Sequence, residues 1–187
     1  MKKLISVLCL GILIFSCKPR SASDTESTAG DSSEEMMIAQ AEENTAEGKM
    51  FTDFTIENGN PDGSSASLSD YVGKGKYVLV DFWASWCGPC IRETPVIAEV
   101  YEKYKGDKFE VLGVAVWDEK PKTLEAIETH GIVWPQILDA SDIPTKRYAI
   151  KGIPHIILFA PDGTILYRGL RGDFLKEKVA EVMNSQD

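Results

Sequence analysis

The sequence predicts an α/β domain in which helices flank a central mixed β-sheet. Two apolar runs, residues 77–83 and 109–117, are nearly continuous, as is typical of strands that are buried on both faces. The segment between these runs carries apolar residues at helical spacing, so the three elements predict a parallel strand–helix–strand unit with a right-handed connection. Near the C-terminus, a Pro-Asp-Gly turn at 161–163 joins two short apolar stretches and indicates an antiparallel hairpin.

The first predicted element is an N-terminal β-hairpin. Residues 51–56 alternate apolar and polar side chains, and residues 58–63 are rich in Asn, Gly, Pro and Asp, which favour a turn. A short approach segment at 68–71 leads to the first buried strand. The helix that follows this strand is expected over 90–105 and ends before Gly106.

The second half of the chain predicts shorter elements around two more strands. Residues 123–130 predict a helix, and residues 145–150 a further helical turn. The two strands of the C-terminal hairpin are expected at 155–159 and 164–167. A final amphipathic helix begins near Asp173, whose side chain is able to cap it, and completes the layered architecture.

The composition restricts the number of domains and the kind of partner. A chain of 187 residues corresponds to one domain with appendages. Its 29 Asp and Glu against 20 Lys and Arg give a net charge of −9, which argues against nucleic-acid binding, since phosphate binding depends on positive charge. Four cysteines are too few for a miniprotein held together by disulfides, so their positions matter more than their number.

The first 16 residues have the pattern of a secretory signal peptide. Two lysines precede twelve largely apolar residues, 4–15, which as a helix reach about 18 Å, well short of the roughly 30 Å hydrocarbon core of a bilayer. The run ends in Ile-Phe-Ser-Cys at 14–17, which resembles a bacterial lipobox. The resemblance implies cleavage of residues 1–16 and a lipid on Cys17, which would anchor the protein to a membrane outside the cytoplasm. An ordinary signal peptide with a chance cysteine is the alternative.

Residues 17–49 are expected to form a lipidated, disordered acidic tether, and residues 50–187 the folded domain. From residue 18 to residue 49 the chain has no aromatic side chain and is rich in Ser, Thr, Ala, Asp and Glu. It therefore has too little apolar surface to offset the entropy of ordering, and a solvated spacer is expected. A nascent helix over 32–40 is the alternative. Lys18 differs from the aspartate that acts as a retention signal in lipoproteins, which favours the outer membrane of the cell envelope, on its periplasmic side.

The segment Cys87-Gly-Pro-Cys90 carries the predicted chemistry, because it lies between a buried strand and a helix. At the start of a helix, unpaired N–H groups and the helix dipole stabilise a thiolate, so Cys87 is the expected nucleophile. Cys90 lies one turn further along, close enough to form a disulfide with Cys87 and to resolve a mixed disulfide. Pro89 suits the first helical turn, and Gly88 lets the backbone of a partner approach closely.

Half of a zinc site and an inert structural disulfide are the two other interpretations of this cysteine pair. Zinc usually takes four ligands, whereas the sequence has no second such pair and only two separated histidines, His130 and His155. A disulfide that encloses only two residues closes too short a loop to stabilise the fold much. Redox catalysis without a metal or another cofactor is therefore the favoured interpretation.

Residues 78–90, Val-Leu-Val-Asp-Phe-Trp-Ala-Ser-Trp-Cys-Gly-Pro-Cys, resemble the active-site strand and loop of thioredoxin. Pro95 stands where a proline kinks the thioredoxin active-site helix, and Gly-Ile-Pro at 152–154 resembles the segment at the family's cis-proline. The leading hairpin, the sequence at 90–95 and the extra chain after the second strand resemble the membrane-tethered TlpA/ResA-type thioredoxins. The resemblance covers about residues 50–187 and implies a thioredoxin-like fold.

The resemblance also assigns roles to individual residues. Cys87 is the nucleophile, and Cys90 is the more buried, resolving thiol. Pro154, if its peptide bond is cis, faces the disulfide and leaves the backbone of Ile153 free to pair with a substrate strand. A plain turn proline is the alternative. Trp86 is expected on the surface that faces the partner.

Asp81 stands where thioredoxin keeps a buried carboxylate near its second cysteine, whereas Trp83 is expected in the core. Desolvation raises the pKa of such a carboxyl group, which is then able to take the proton of Cys90. A carboxylate that only hydrogen-bonds nearby backbone is the alternative. The strand at 111–116 lacks the lysine that thioredoxin pairs with this carboxylate, so Asp81 is expected to be protonated more often. His155 replaces the usual threonine, and an imidazolium there would favour the thiolate.

The predicted function is reduction of disulfides. The Gly-Pro dipeptide between the cysteines is that of thioredoxin, whose potential of about −270 mV contrasts with about −120 mV for the oxidant DsbA. The expected partners are oxidised proteins, which form mixed disulfides, and a membrane thiol relay, which supplies electrons; a monomer is the default. An oxidase or isomerase of the same fold and a non-catalytic peptide-binding lipoprotein are alternatives. A thiol peroxidase is disfavoured, because neither active-site cysteine has a threonine three residues before it.

Overall fold

The central sheet is built around strand Tyr77–Trp83, in which all seven residues are buried, as the apolar run predicts. The computed structural model describes residues 29–138 and 140–185. Its strands are β1 Thr55–Ile56, β2 Ala66–Ser67, β3 Tyr77–Trp83, β4 Phe109–Ala115, β5 Gln136–Ile137, β6 His155–Phe159 and β7 Ile165–Arg168. Its helices are α1 Ala29–Asn44, α2 Gly88–Tyr104, α3 Lys120–His130, α4 Ile143–Arg147 and α5 Gly172–Asn184, with a 3₁₀ turn at Leu68–Asp70.

Five of the seven strands just named form one mixed sheet in the order β5-β4-β3-β6-β7. β3 pairs in parallel with β4, which itself pairs in parallel with β5, whereas β6 is antiparallel to both β3 and β7. The predicted strand–helix–strand unit and the predicted C-terminal hairpin are both present, and the α/β architecture with a mixed sheet is confirmed. β1 and β2 form the separate N-terminal hairpin.

The two faces of β3 belong to different layers, because successive side chains of a strand point to opposite sides of the sheet. Val78, Val80 and Phe82 pack into the core that includes Tyr148 and the hairpin residues. The alternate residues, such as Leu79 and Trp83, pack into the core that contains both active-site cysteines and residues of α2 and α5. Asp81 has this second orientation, so it lies on the same side of the sheet as the cysteines. Trp83 is buried in the core, as expected.

Two strands are shorter than the sequence predicts, and one further strand was not predicted. Only two residues of the alternating segment 51–56 pair as a strand, and β4 ends at Ala115, since Trp117 takes a positive φ of 53°. β5 was not predicted, because it contains only two residues and pairs with β4 over only that length. A strand this short leaves no periodic pattern in the sequence.

The segment before residue 50 differs from the predicted disordered tether. Within it the structure has helix α1, and Thr45 is fully buried against the domain. The Arg168 guanidinium donates to the carbonyl oxygen of Thr45 (2.6 Å) and to its hydroxyl (2.9 Å). Gly48 N–H also donates to the Ile165 carbonyl, and Ile165 N–H donates to that of Lys49. These bonds use backbone and an arginine rather than apolar surface, which is why apolar content did not predict them.

The predicted signal peptide and the predicted lipidation site, Cys17, lie outside the described residues. None of the helices among the described residues has the length and hydropathy needed to cross a bilayer.

Gly113 allows a polar contact inside the core. It pairs with Asp81 across the sheet, and a Cβ added to it would overlap the carboxamide of Gln136. That carboxamide accepts a hydrogen bond from the Trp83 indole N–H (2.9 Å) and donates to the Trp134 carbonyl (3.3 Å). The absent side chain therefore leaves the space in which Gln136 satisfies a buried indole.

We expect Gly113→Ala to lower the free energy of unfolding by about 1–3 kcal/mol, because the new methyl group must displace the Gln136 carboxamide. The measurement is the midpoint of urea unfolding. Gly152→Ala is the control, since nothing lies within 4 Å of a Cβ at Gly152. In a Gln136→Ala background the cost of Gly113→Ala should shrink, and equal costs in both backgrounds would contradict this explanation.

Candidate active site

The two cysteines of the predicted motif form a disulfide at the N-terminus of α2. Their Cα atoms are 5.2 Å apart. Cys87 is the N-cap residue of the helix, and its Sγ accepts a hydrogen bond from Cys90 N–H at 3.2 Å. Pro89 occupies the first turn, where its missing N–H costs no helical hydrogen bond. In the reduced protein this same N–H and the helix dipole would stabilise a thiolate on Cys87.

The surroundings of the disulfide are asymmetric. Cys87 is 4% exposed and Cys90 is 1% exposed, so Cys90 is the more buried of the two, as expected. Trp86 is 62% exposed, and Gly88 and Pro89 are exposed as well. The solvent-exposed surface next to the pair in the chain is therefore formed by these three residues.

Asp118 fixes the loop that carries Trp86 and Cys87. Its carboxylate accepts hydrogen bonds from Ser85 N–H (2.7 Å), the Ser85 hydroxyl (3.0 Å) and the Thr123 hydroxyl (2.9 Å). Burial raises the pKa of Asp118, but these bonds from Ser85 and Thr123 more than offset that effect, so its pKa lies below the usual range. The neighbouring Trp117 carbonyl accepts the Trp86 indole N–H at 2.9 Å.

Asp118 was not predicted as a site residue from the sequence. A signal was nevertheless present, because Asp118 follows shortly after the end of β4, the parallel neighbour of β3. The carboxyl ends of parallel strands meet at the same edge of a sheet, so this residue had to lie close to the active-site loop.

The Ile153–Pro154 peptide bond is cis, which was the conditional part of the prediction for Pro154. The next residue, His155, pairs with Phe82, so Pro154 lies at the end of the sheet from which the active-site loop leaves β3. Ile153 packs against the core that contains both cysteines. No hydrogen bond joins the backbone of Ile153 to another of the described residues. Arg171 donates from Nη2 to the Pro154 carbonyl oxygen.

His155 does not carry the charge that the sequence analysis considered. Burial lowers the pKa of His155 to about 4, and the positive charges of Arg168 and Arg171 lower it further in the same direction. The Arg168 guanidinium lies 3.4 Å from Nε2 of the imidazole. His155 is therefore neutral at pH 7, and the hypothesis of an imidazolium beside the thiolate is wrong.

Asp81 is buried and 5% exposed, on the side of the sheet that faces the cysteines. Burial raises the pKa of Asp81 to about 7; the charge of Glu93 acts in the same direction, and that of Arg171 opposes it. The Oδ1 atom has no hydrogen-bond partner among the described residues. A carboxyl group in this state exchanges protons near neutral pH, which favours the proton-shuttle interpretation over a carboxylate held by the backbone.

Glu93 was also missed by the sequence analysis. It lies one turn after Cys90 on α2, and its Oε2 accepts a hydrogen bond from Gly172 N–H at 3.0 Å. This bond links the active-site helix to the start of α5 and keeps a carboxylate near Asp81. The spacing of three residues from Cys90 was the available signal, since residues three apart share a helix face.

No group of three or more His, Cys, Asp or Glu side chains among the described residues is arranged to hold a metal ion. Both sulfurs of the motif are joined to each other, and His130 and His155 lie on different elements, α3 and β6.

Comparisons with known proteins agree with this geometry. Residues 48–168 match the model of the AhpC/TSA family. Two similar curated proteins are the thiol-disulfide oxidoreductases ResA of Bacillus subtilis (strain 168) and of Geobacillus thermodenitrificans (strain NG80-2). The first is 29% identical over 147 residues, which cover 79% of each chain. The second is 30% identical over 140 residues, which cover 75% of this chain and 78% of the relative.

Solved structures show the same fold. The thioredoxin domain of a thiol-disulfide oxidoreductase from Bacteroides vulgatus is 36% identical, with a TM-score of 0.65, over 73% of this chain and 97% of that one. A thiol-disulfide oxidoreductase from Bacteroides fragilis NCTC 9343 is 29% identical, with a TM-score of 0.63, over 72% and 99%. The chain therefore belongs to the AhpC/TSA family, in which it is a thioredoxin-like thiol-disulfide oxidoreductase.

Proposed function

We propose that this thiol-disulfide oxidoreductase reduces disulfide bonds of proteins in the bacterial cell envelope. The observation that carries the proposal is the hydrogen bond from Cys90 N–H to Cys87 Sγ at the start of α2. A sulfur in this position is stabilised as a thiolate, and a thiolate is the attacking species in disulfide exchange. The Gly-Pro dipeptide supports the reducing direction, because thioredoxin, which shares it, has a potential of about −270 mV.

The reaction starts from the reduced pair. The Cys87 thiolate attacks one sulfur of a substrate disulfide, so a mixed disulfide forms and the other substrate sulfur leaves as a thiolate. Cys90, as a thiolate, then attacks Cys87 Sγ, which closes the Cys87–Cys90 disulfide and releases the first substrate sulfur. Two electrons pass to the substrate, and the disulfide of the structure is the oxidised product.

The backbone beside Pro154 supports binding of an extended substrate segment. Because the N–H and carbonyl groups of Ile153 make no hydrogen bond within the described chain, they are available to pair with a substrate strand. Trp86 and Gly88, on either side of Cys87 in the chain, are exposed; the first offers an aromatic surface and the second lets a backbone come close. Pro89 completes this exposed surface.

Asp81 is proposed to accept the proton of Cys90. With a pKa of about 7, its carboxylate is partly populated at neutral pH and is able to take the thiol proton as Cys90 attacks. The reaction then needs no charged histidine at position 155.

A reductase in an oxidising compartment needs a supply of electrons. We propose that a membrane thiol relay reduces the Cys87–Cys90 disulfide after each turnover, and that no metal or other cofactor takes part. In this proposal residues 1–16 are removed as a signal peptide, Cys17 carries lipid, and the monomeric protein faces the periplasm, with the outer membrane favoured as the anchoring site.

The reduction potential distinguishes a reductase from an oxidase or isomerase of the same fold. We expect the Cys87–Cys90 couple to lie near the thioredoxin value of about −270 mV, and the protein to reduce insulin. The measurement is equilibration with a glutathione buffer of known ratio. A potential above about −180 mV would instead assign the protein to the oxidases or isomerases.

Trapping of mixed disulfides identifies the substrates and tests whether the two cysteines catalyse disulfide exchange. In a Cys90→Ser variant the mixed disulfide through Cys87 cannot be resolved, so we expect envelope proteins to accumulate as adducts that dithiothreitol releases. Cys87→Ser is the matched control and should trap none. If Cys87→Ser still complemented a deletion strain, the protein would be a non-catalytic peptide-binding lipoprotein.

The proposed proton transfer predicts a slow resolving step in Asp81→Asn. Loss of general base catalysis should slow the decay of the mixed disulfide by roughly 100-fold at pH 7, while alkylation of Cys87 by iodoacetamide changes little. Stopped-flow measurement of the two steps separates these effects. Asp107→Asn, at an exposed bend, is the control, and equal decay rates in all three proteins would remove Asp81 from the mechanism.

The same carboxyl group should make stability depend on pH. Since burial raises the pKa of Asp81 from 3.8 to about 7, the folded state binds more protons than the unfolded state between these values. The contribution of Asp81 to the free energy of unfolding is then greatest below about pH 4 and is lost as the pH rises towards 7. Asp81→Asn should remove this fall and be the more stable protein at pH 8, by up to about 4 kcal/mol. The measurement is urea unfolding of both proteins at pH 4 and pH 8. If the difference in their free energies of unfolding were the same at the two pH values, the raised pKa would be contradicted.

A further inference from the structure

Two arginines contact the segments that border the disulfide. Arg92, on α2, is exposed, and its Nη1 lies 3.8 Å from the position that a Cβ on Gly88 would occupy. Arg171, at the start of α5, is also exposed and donates to the carbonyl oxygen of Pro154. One guanidinium therefore lies beside Gly88, one of the two residues between the cysteines, and the other lies beside the loop proposed to pair with substrate backbone.

Neither arginine has an acidic partner. The ion pairs among the described residues all use lysines, and no carboxylate oxygen of these residues lies within 4.0 Å of Arg92 or Arg171. This is unexpected in a chain with nine more acidic than basic side chains. Asp173, two residues after Arg171, is exposed but makes no ion pair with it.

Apart from the buried Asp81, the carboxylates identified around the site are already engaged. Glu93 accepts the N–H of Gly172, and Asp118 is held by Ser85 and Thr123. Glu119 pairs with Lys122 at 2.7 Å. Two cations without a carboxylate of the described residues in ion-pair contact thus remain near the redox centre, where the positive end of the α2 dipole also lies.

We propose that Arg92 and Arg171 select substrates whose disulfide is flanked by acidic residues. This inference rests on the proposed function and adds the substrate class. A guanidinium matches a carboxylate with two parallel hydrogen bonds, so acidic side chains on both sides of the attacked sulfur would be held across Gly88 and Pro154. The repulsion from the net negative charge acts over longer distances and is screened beyond about 8 Å at physiological salt, whereas these contacts are short.

The test compares two disulfide peptides that differ only in the residues flanking each cysteine, Glu in one and Lys in the other. The reduced protein should give a kcat/KM for the Glu peptide on the order of tenfold higher than for the Lys peptide, and this ratio should fall as salt is added. Arg92→Gln and Arg171→Gln should each lower the ratio severalfold, and Arg92→Glu should shift the preference towards the Lys peptide.

The controls separate selection from a general loss of activity. Arg147→Gln makes the same change of charge at an exposed position on α4 and should leave the ratio unchanged. Arg171 also contacts the Pro154 loop and acts on Asp81, but an effect on either alters both peptides alike and cancels in the ratio. The alkylation rate of Cys87 confirms that each variant retains its folded site.

The failure of this inference differs from the failure of the proposed function. Equal rates for the two peptides in the unmodified protein, or an equal drop in the ratio for Arg147→Gln, would overturn the selection by Arg92 and Arg171 and leave the reductase assignment intact. Failure to reduce either peptide would overturn both.

Discussion

The chemistry of this protein depends on the hydrogen bond from Cys90 N–H to Cys87 Sγ, which exists only because a helix begins at this point of the chain. Strand β3 fixes one end of the connection, since all its residues are buried and residues 78–82 are paired with both β4 and β6. Asp118 fixes the other end by holding Ser85 through both its N–H and its hydroxyl. The folded structure therefore holds the Cys87 sulfur at the helix N-terminus before any substrate binds.

The alternation of side chains along β3 places the carboxyl group of Asp81 on the side of the sheet that faces the cysteines. Leu79 and Trp83 are packed among apolar groups, so a carboxyl group at the intervening position loses most of its hydration. The charge of Arg171 opposes the resulting rise in pKa only in part. The residue across the sheet is Gly113, and the space beside it is filled by the neutral carboxamide of Gln136. Asp81 thus retains a proton at a pH where surface carboxylates are charged, which is the property that an exchange partner for a thiol requires.

The sequence predicted those parts of the fold and site that depend on local pattern. The bounds of β3 and β6 agree with the prediction residue for residue, because each is a continuous apolar run between polar segments. β5 and the packing of Thr45 were not predicted, since short pairings and an arginine contact leave no periodic signal. The neutral state of His155 was not predicted either. It results from burial and from the charges of Arg168 and Arg171, which come from later parts of the chain, so it depends on tertiary contacts. The cysteines were identified by a motif, whereas Asp118 and Glu93 act through tertiary contacts.

The hydrogen bonds of residues 48–51 at the edge of the central sheet affect how readily the protein aggregates. β7 is an outer strand, and an outer strand with free N–H and carbonyl groups is a template for pairing with other chains. Here Gly48, Lys49 and Phe51 hydrogen-bond to Gly163 and Ile165 and cover that edge. The opposite edge, β5, offers only two residues. Little unpaired strand edge is therefore left at either margin of the central sheet, which lowers the tendency of the fold to aggregate through edge-to-edge strand pairing.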